Sequence, residues 1–458
     1  MRPAVSRATT GLALSAGLWL LGGCASLSPA LPPIDSTRYG GLQDDPAIVE
    51  ASAGDIARPW LKPVPIDFAR PLDGFGLSAL AVVANPDLKA LRKRARVADA
   101  QVYSAGLLPD PVLSFGVDFV IGGPVTTLGN ALAGSISQDL NALRTRSAAL
   151  SAARASARQV RLDLAWAEWQ TAGQARLLAS RVTSLEMQTS LLRDAARLSR
   201  SLSERTQRAA GRGDIAGDQL QTARLAELDA LTQLNQAEAS ARQARQDLLR
   251  VLGLSPVTAL ALAPTVTAIA PPDCAAVFAR ARHRPDLAAL SAGFDAQSAA
   301  VRQSLLERFP SLGLTVNSSR NESGNRFLGP AVSLTLPLWN GGRGTIAIAL
   351  ATREALQSEY DARVFKTRAD IFDLCVAMTV TERQLVDARR ELPALSRFAA
   401  ATARAAGRGD LAQSAADSAA VTLLTREVLV EQLRQAQAER AVGLEIASGT
   451  IMQAWGTR

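Results

Sequence analysis

The sequence predicts a mainly α-helical chain with a small β contribution, built from one helix, strand, strand, long-helical-hairpin unit used twice. Three observations predict it. "AAGRGDIA" from Ala209 returns as "AAGRGDLA" from Ala405. Apolar residues alternate with period two in four short segments and almost nowhere else. Residues 141–208 contain no proline, a single glycine (Gly173), and Leu143, Leu150, Ala157, Leu164, Leu178, Leu185 and Leu192 in one seven-residue register.

In chain order, Arg2 and Arg7 precede the apolar run "GLALSAGLWLLGGC", the shape of a secretory signal too short to remain as a membrane helix, so residues 1–23 are expected to be removed. "LGGC" resembles the lipobox of bacterial lipoproteins, which implies cleavage before Cys24 and acylation of its thiol, palmitate included; Ala25 after it implies passage to the outer membrane. Residues 24–76 read as an extended N-terminal segment. Beyond the signal no run of about eighteen apolar residues remains, so any further membrane contact must be made by strands.

The first unit spans residues 77–255 and the second 284–449, with a linker at 256–283 and a tail at 450–458. "NPDLKALRKRARVADAQVYSAGLLPDPVLSFGVDFV" from Asn85 is echoed by "RPDLAALSAGFDAQSAAVRQSLLERFPSLGLTVNSS" from Arg284, and "GSISQDL" at Gly134 by "VSLTLPL" at Val332. The offset stays near constant, 199 at Pro86 and Pro285, 198 at Ser135 and Ser333, 196 at Gly211 and Gly407, as expected of one duplicated unit.

Strands are expected at about 112–121 and 131–140 in the first unit and about 311–319 and 327–338 in the second. Leu113, Phe115, Val117, Phe119 and Ile121 form one face of the first, and Leu132, Ile136 and Leu140 the matching face of its partner. Leu312, Leu314 and Val316, then Val332, Leu334, Leu336 and Leu338, do the same in the second, with pairing expected to stop near Pro337, which has no amide hydrogen. Segments of about ten residues suit tilted transmembrane strands. Four strands cannot close a membrane barrel and an open edge in lipid is forbidden, so several subunits must share one barrel.

The tips at 209–214 and 405–410 are read as the turns of the two helical hairpins. Gly211 and Gly407 are expected to end one helix in the left-handed conformation, and Asp214 and Asp410 to cap the next, Asp410 with Gln413 at capping-box spacing. The embedded Arg-Gly-Asp is too short to indicate cell adhesion.

Composition excludes other classes. One histidine, His283, leaves triads, acid–base pairs and most metal sites without their usual residues, so neither an enzyme nor a cofactor or metal site is expected. The net charge of +8 comes from arginines scattered among Asp and Glu, without basic clusters or interleaved aromatics, which argues against nucleic acid. Cys274 and Cys375 are too few for a disulfide framework; two buried free thiols are expected, with a bridge as the alternative.

Between about Ala79 and Gly449 the chain is similar to the TolC-like outer membrane efflux proteins, on "NPDL", "RPDL", "AGLLPDP", "ISQDL", "LPLWNGGRG" and the two tips; "AGLLPDPVLSFGVD" followed by "ISQDL" resembles most the CzcC-like branch associated with heavy-metal efflux. The resemblance implies a homotrimer with a twelve-stranded barrel in the outer membrane and an α-helical periplasmic tunnel, working with a periplasmic adaptor and an inner-membrane pump of RND type. It implies adaptor docking at Gly211, Arg212, Asp214, Gly407, Arg408 and Asp410. The family archetype constricts its pore with acidic rings past the second tip; Gln413 and Ala416 occupy those places here, leaving Asp218 and Asp417 as candidates. A type I secretion duct and a non-conducting coiled-coil lipoprotein are the competing readings.

Overall fold

Both Pro-Asp-Leu segments start helices. In the computed structural model, which describes residues 58, 60, 61, 66–119, 121, 130–263, 271–321 and 323–451, α1 (Gly74–Ala84) is followed at once by α2 (Pro86–Gly106). Asn85 caps α2 by accepting from the Leu88 amide at 3.0 Å, while its Nδ2 donates 2.9 Å to the Val251 carbonyl. Pro86 stands in the first turn of α2, and Pro285 in that of α6 (Pro285–Leu306), where its missing amide costs no helical bond. The signal peptide, Cys24, most of the N-terminal segment, linker residues 264–270 and the tail beyond 451 lie outside the described residues.

Between α2 and α6 come β1 (Val112–Asp118), β2 (Ala131–Asp139), α3 (Asn141–Gly211), α4 (Gly217–Val251) and the short α5 (Cys274–Ala281). After α6 come β3 (Ser311–Arg320), β4 (Arg326–Thr335), α7 (Arg343–Gly407) and α8 (Gln413–Ser448). The order helix, strand, strand, long helix, shorter helix therefore runs twice. At about 1.5 Å per residue the 71 residues of α3 reach on the order of 100 Å.

The four strands form one antiparallel sheet in chain order, joined across the halves by β2 and β3. Two strands are shorter than the alternation predicts. β1 stops at Asp118, opposite Ala131 where β2 begins, so Phe119 and Ile121 have no ladder partner among the described residues. β4 stops at Thr335, before Leu336 and Leu338, because Pro337 cannot donate and also restricts the residue before it.

α3 packs against α4, α6 and α8, and α7 against α5, α6 and α8. The seams are made of small residues: Ala172, Ala175, Ala179, Ser180, Ala195, Ala196, Ser199 and Ser203 are buried along α3. Of the predicted heptad positions, Ala157, Leu178 and Leu192 are buried, whereas Leu143 is 56% exposed. A straight helix drifts about 20° per heptad, so a strict seven-residue stripe turns out of its seam over this length. The largest core cluster centres on Leu77, Leu80, Val82, Ala175, Val182 and Leu248, where α1, the middle of α3 and the end of α4 meet.

Candidate functional sites: an uncovered sheet face and two hairpin tips

Register decides which strand residues share a face. Leu113, Phe115 and Val117 pair with Ile136, Gly134 and Leu132; Ile136 pairs on with Val316; Leu312 and Leu314 pair with Leu334 and Val332; Ser318 pairs with Leu328. Eleven large apolar side chains thus lie on one side of the sheet, and all are exposed, from 38% at Leu312 to 81% at Phe115. The opposite side carries Ser114, Gly116, Ser135, Ser137, Gly313, Thr315, Asn317, Ser319, Ser333 and Thr335, with Val112 and Phe327 as its large apolar members at strand ends. A continuous apolar surface of this size is not left in water. Pro330 sits on β4, an edge strand, where a residue without an amide hydrogen is tolerated.

The tips are two copies of one hydrogen-bonded turn. At the end of α3 the Asp214 amide donates 3.0 Å to the Ala209 carbonyl and the Gly213 amide 3.0 Å to Ala210; at the end of α7 Asp410 donates 2.9 Å to Ala405 and Gly409 3.0 Å to Ala406. This is the Schellman motif, whose six-to-one and five-to-two bonds use up orphan carbonyls. The left-handed residue it needs is Gly213 (φ 79°) or Gly409 (φ 83°). That corrects the expectation for Gly211 and Gly407, which are the last right-handed residues of α3 and α7. A Cβ added at either would meet nothing within 4 Å.

Asp214 and Asp410 are not helix caps either. Each accepts instead from the Nε of the arginine two residues before it, Arg212 or Arg408, at 2.8 Å. Their place in the motif turns them toward the helix that ends, and Ala216 and Ala412 occupy the next N-caps without a side-chain bond. Gln413 forms no capping box with Asp410 and donates to Asp417 Oδ1 at 3.2 Å.

The two acidic candidates beyond the tips differ. Asp218 is exposed in the first turn of α4, its Oδ1 accepting from the Gln219 amide at 2.8 Å. Asp417 is buried between the hairpins, where Arg205 of α3 forms an ion pair with it. An open groove beside the first tip, lined by Arg205, Arg208, Arg212, Ile215, Asp218 and Gln413, runs from this pair toward the exposed turn.

A girdle of buried charge at mid-height went unread in the sequence. Arg284 of "RPDL" forks onto Asp286 at 2.9 and 2.6 Å, donates 2.7 Å to the Ala447 carbonyl, and lies 4.2 Å from the centre of the Trp166 ring. Arg363 of α7 reaches the same Asp286 at 3.3 Å. Burial, and next the charge of Asp286, push the nearby Asp163 carboxyl above its usual range. Glu168 accepts from Arg58 at 2.7 and 3.0 Å and from Arg92 at 3.2 and 2.8 Å. Burial alone would raise its pKa, but the two guanidinium groups outweigh it and hold the carboxyl below its usual range. Arg176 and Glu445 form a deeper pair at 3.1 Å. "RPDL" was visible as a repeat marker, but nothing local in the sequence pairs Arg284 with Trp166 or Glu168 with Arg58. Among the described residues no group of three or more His, Cys, Asp or Glu gathers as a metal site.

The comparisons converge on this architecture. Residues 279–450, from the end of α5 through α8, match the family model described as Outer membrane efflux protein. The solved outer membrane channel CmeC of Campylobacter jejuni superposes with a TM-score of 0.68 at 15% identity, covering 92% of this chain and 93% of that one. The chain has an outer-membrane channel fold. That fold is shared with the open-state MtrE outer membrane channel of Neisseria gonorrhoeae (TM-score 0.65, 18% identity, 82% of this chain and 88% of that one). It is shared also with the outer membrane protein VceC of Vibrio cholerae (TM-score 0.67, 14% identity, 84% of this chain and 100% of that one). No curated protein matches the sequence significantly.

Proposed function

We propose that the chain is the outer membrane channel of a tripartite efflux system, a homotrimer exporting toxic ions or small molecules, heavy-metal cations first among them. The observation that carries this reading is the sheet, which among the described residues has one apolar face without a covering layer, one face of small polar residues, and free edges at β1 and β4. Lipid satisfies the first, a water-filled lumen the second, and pairing of β4 with β1 of a neighbouring copy the third. Three copies supply twelve strands. A second support is a row of exposed apolar residues on α7, Phe365, Phe372, Val376 and Val380, spaced to lie along one helix face and suited to a neighbouring copy's helices.

On this reading the duplicated unit supplies paired hairpins to a periplasmic tunnel, and the Schellman turns at Gly211, Arg212, Asp214, Gly407, Arg408 and Asp410 are the docking surface for the adaptor, which links to an inner-membrane RND-type pump. Asp218 and Asp417 are the constriction candidates, with the Arg205 pair to Asp417 as the bond that holds the hairpins together near the tip. The heavy-metal cargo rests on the likeness to the CzcC-like branch alone. Acylated Cys24 is a sorting aid beside the strand anchor, and Cys24→Ser is expected to abolish palmitate labelling without abolishing membrane insertion.

Single-channel recording in planar bilayers tests the core of the proposal. A stable conductance from a detergent-purified species of about three times the monomer mass is expected; a silent monomer with its full strand signal would refute it. Gly211→Trp and Gly407→Trp test docking separately. Both positions are open and right-handed, so the variants should still form trimers. Loss of adaptor cross-linking and of resistance is the expected outcome, and normal values in both would reduce the tips to turns.

A further inference from the structure

Cys274 opens α5 and Cys375 stands at the middle of α7. Val277 and Ala281 of α5 meet Ile371, Cys375 and Met378 of α7 in a buried cluster closed by Leu444 of α8. Spacings of three or four residues put Cys274, Val277 and Ala281 on one face of α5 and Ile371, Cys375 and Met378 on one face of α7, and these faces meet in the cluster. Cys274 packs against this same cluster, beside Cys375. Cys375 is 1% exposed, whereas Cys274 is half-buried and donates weakly to the Pro272 carbonyl at 3.9 Å. Both are unbridged in the structure.

We propose that Cys274 and Cys375 close to a disulfide once the chain reaches an oxidising compartment, stapling α5 onto α7. The placing of that compartment outside the inner membrane rests on the function proposed above; the pairing itself rests on geometry. An eight-residue helix has almost no stability of its own and depends on what it packs against. α5 also directly precedes α6, which opens the second half of the chain, so a covalent bond at its first residue fixes where that half begins. Secreted chains keep such bridges because glutathione and thioredoxin do not reach them.

The oxidant is an external disulfide, carried by a thiol oxidase or by oxidised glutathione. The more accessible Cys274 thiolate attacks one of its sulfurs, forms a mixed disulfide and releases the first thiolate. Cys375 sulfur then attacks Cys274 Sγ, the internal S–S bond forms, and the second thiolate leaves. The two cysteines lose two protons and two electrons, and the external disulfide leaves as two thiols. Burial first, and then the Cys274 thiol beside it, push the Cys375 thiol up to about 12; burial still disfavours its thiolate once Cys274 carries the mixed disulfide, so closure accelerates as pH rises from 7 toward 9.

The test is direct. The reduced, folded full-length protein is incubated with oxidised glutathione, quenched in acid, alkylated in denaturant and digested with trypsin without reductant. Expected is a linked pair of peptides, residues 251–280 and 369–383, two hydrogen masses lighter than their sum and separated by reduction. The linkage should disappear in Cys274→Ser and in Cys375→Ala, and should form roughly tenfold faster per pH unit as the thiolate fraction rises. Alkylation of both cysteines in the wild-type protein after that treatment would overturn the proposal. The same digestion on acid-quenched cells separates the two inferences: linkage in vitro with free thiols in cells would refute export to an oxidising compartment and leave the geometry standing.

Discussion

At the scale of single residues, the tip sequence Ala-Ala-Gly-Arg-Gly-Asp divides its labour between two glycines. Gly213 and Gly409 carry the left-handed turn, while Gly211 and Gly407 are helical and open. Gly213→Val and Gly409→Val should each lower stability by about 1–2 kcal/mol, because a Cβ is strained in that conformation. Gly211→Ala and Gly407→Ala should be neutral or raise it by up to about 1 kcal/mol, since alanine is the better helix former. Thermal unfolding of the four variants checks the order, and a larger loss at Gly211 than at Gly213 would contradict the turn assignment. Glu168 is a residue-scale case with a sign. Its side chain is 3% exposed, but Arg58 and Arg92 keep about a third of theirs in water. Glu168→Gln should therefore cost about 1.5–3 kcal/mol, below the range of a fully enclosed pair. Its folded pKa is depressed, so its contribution is present above the ordinary glutamate pKa and lost as pH falls below it. The wild-type and Gln variant stabilities should converge in acid; a constant gap would assign the loss to packing.

At the scale of elements, close helix approach depends on small residues. A Cβ at Gly173 of α3 would lie 2.4 Å from Ile446 Cγ1 of α8 and 2.8 Å from its Cδ1, so Gly173→Ala must push the two helices apart or twist Ile446 off its rotamer. Gly173→Ala should cost about 1–3 kcal/mol, and adding Ile446→Ala should cost less than the sum of the two single changes. Additive losses would place the strain elsewhere. Helix and strand types were legible in the sequence because each has its own period, and Pro86, Pro285 and Pro337 marked boundaries by what a proline cannot do. The tip bonding was only half legible: composition announced a turn, but which glycine turns left depends on where the helix ends, and Gly211 extends α3 by one residue. Pro393 lies inside α7, where a breaker reading would have ended the helix; packing against α8 along the hairpin outweighs one lost backbone bond. The charged girdle was illegible because, apart from Arg284 and Asp286, its partners are far apart in sequence, Arg58 and Glu168 by 110 residues. Such pairs are set by how distant helices pack, within one half for Arg58 and Glu168 and between the halves for Arg176 and Glu445, a tertiary fact that no local pattern carries.

At the scale of the whole molecule, the sheet sets the terms for everything else, since a free apolar face and two free edges cannot persist together in water. A lipid-facing assignment and a soluble-partner assignment both cover the apolar face, but they differ in what charge does there. In a bilayer, an arginine on the lipid face costs about 2–4 kcal/mol near the midplane and much less at the rims, while the lumen face tolerates it. The registers name matched pairs for this comparison: Leu314 and Thr315 are neighbours on β3 pointing to opposite sides, as are Ile136 and Ser135 on β2. Leu314→Arg and Ile136→Arg should sharply reduce insertion into vesicles, and the double variant should abolish it. Thr315→Arg and Ser135→Arg should insert normally and change conductance or ion preference instead. Because these substitutions sit within one residue of each other, local folding differences are held nearly constant and the readout isolates the side of the sheet. Equal insertion of all four single variants would mean that lipid does not cover the apolar face, and the membrane-barrel reading would fail with it.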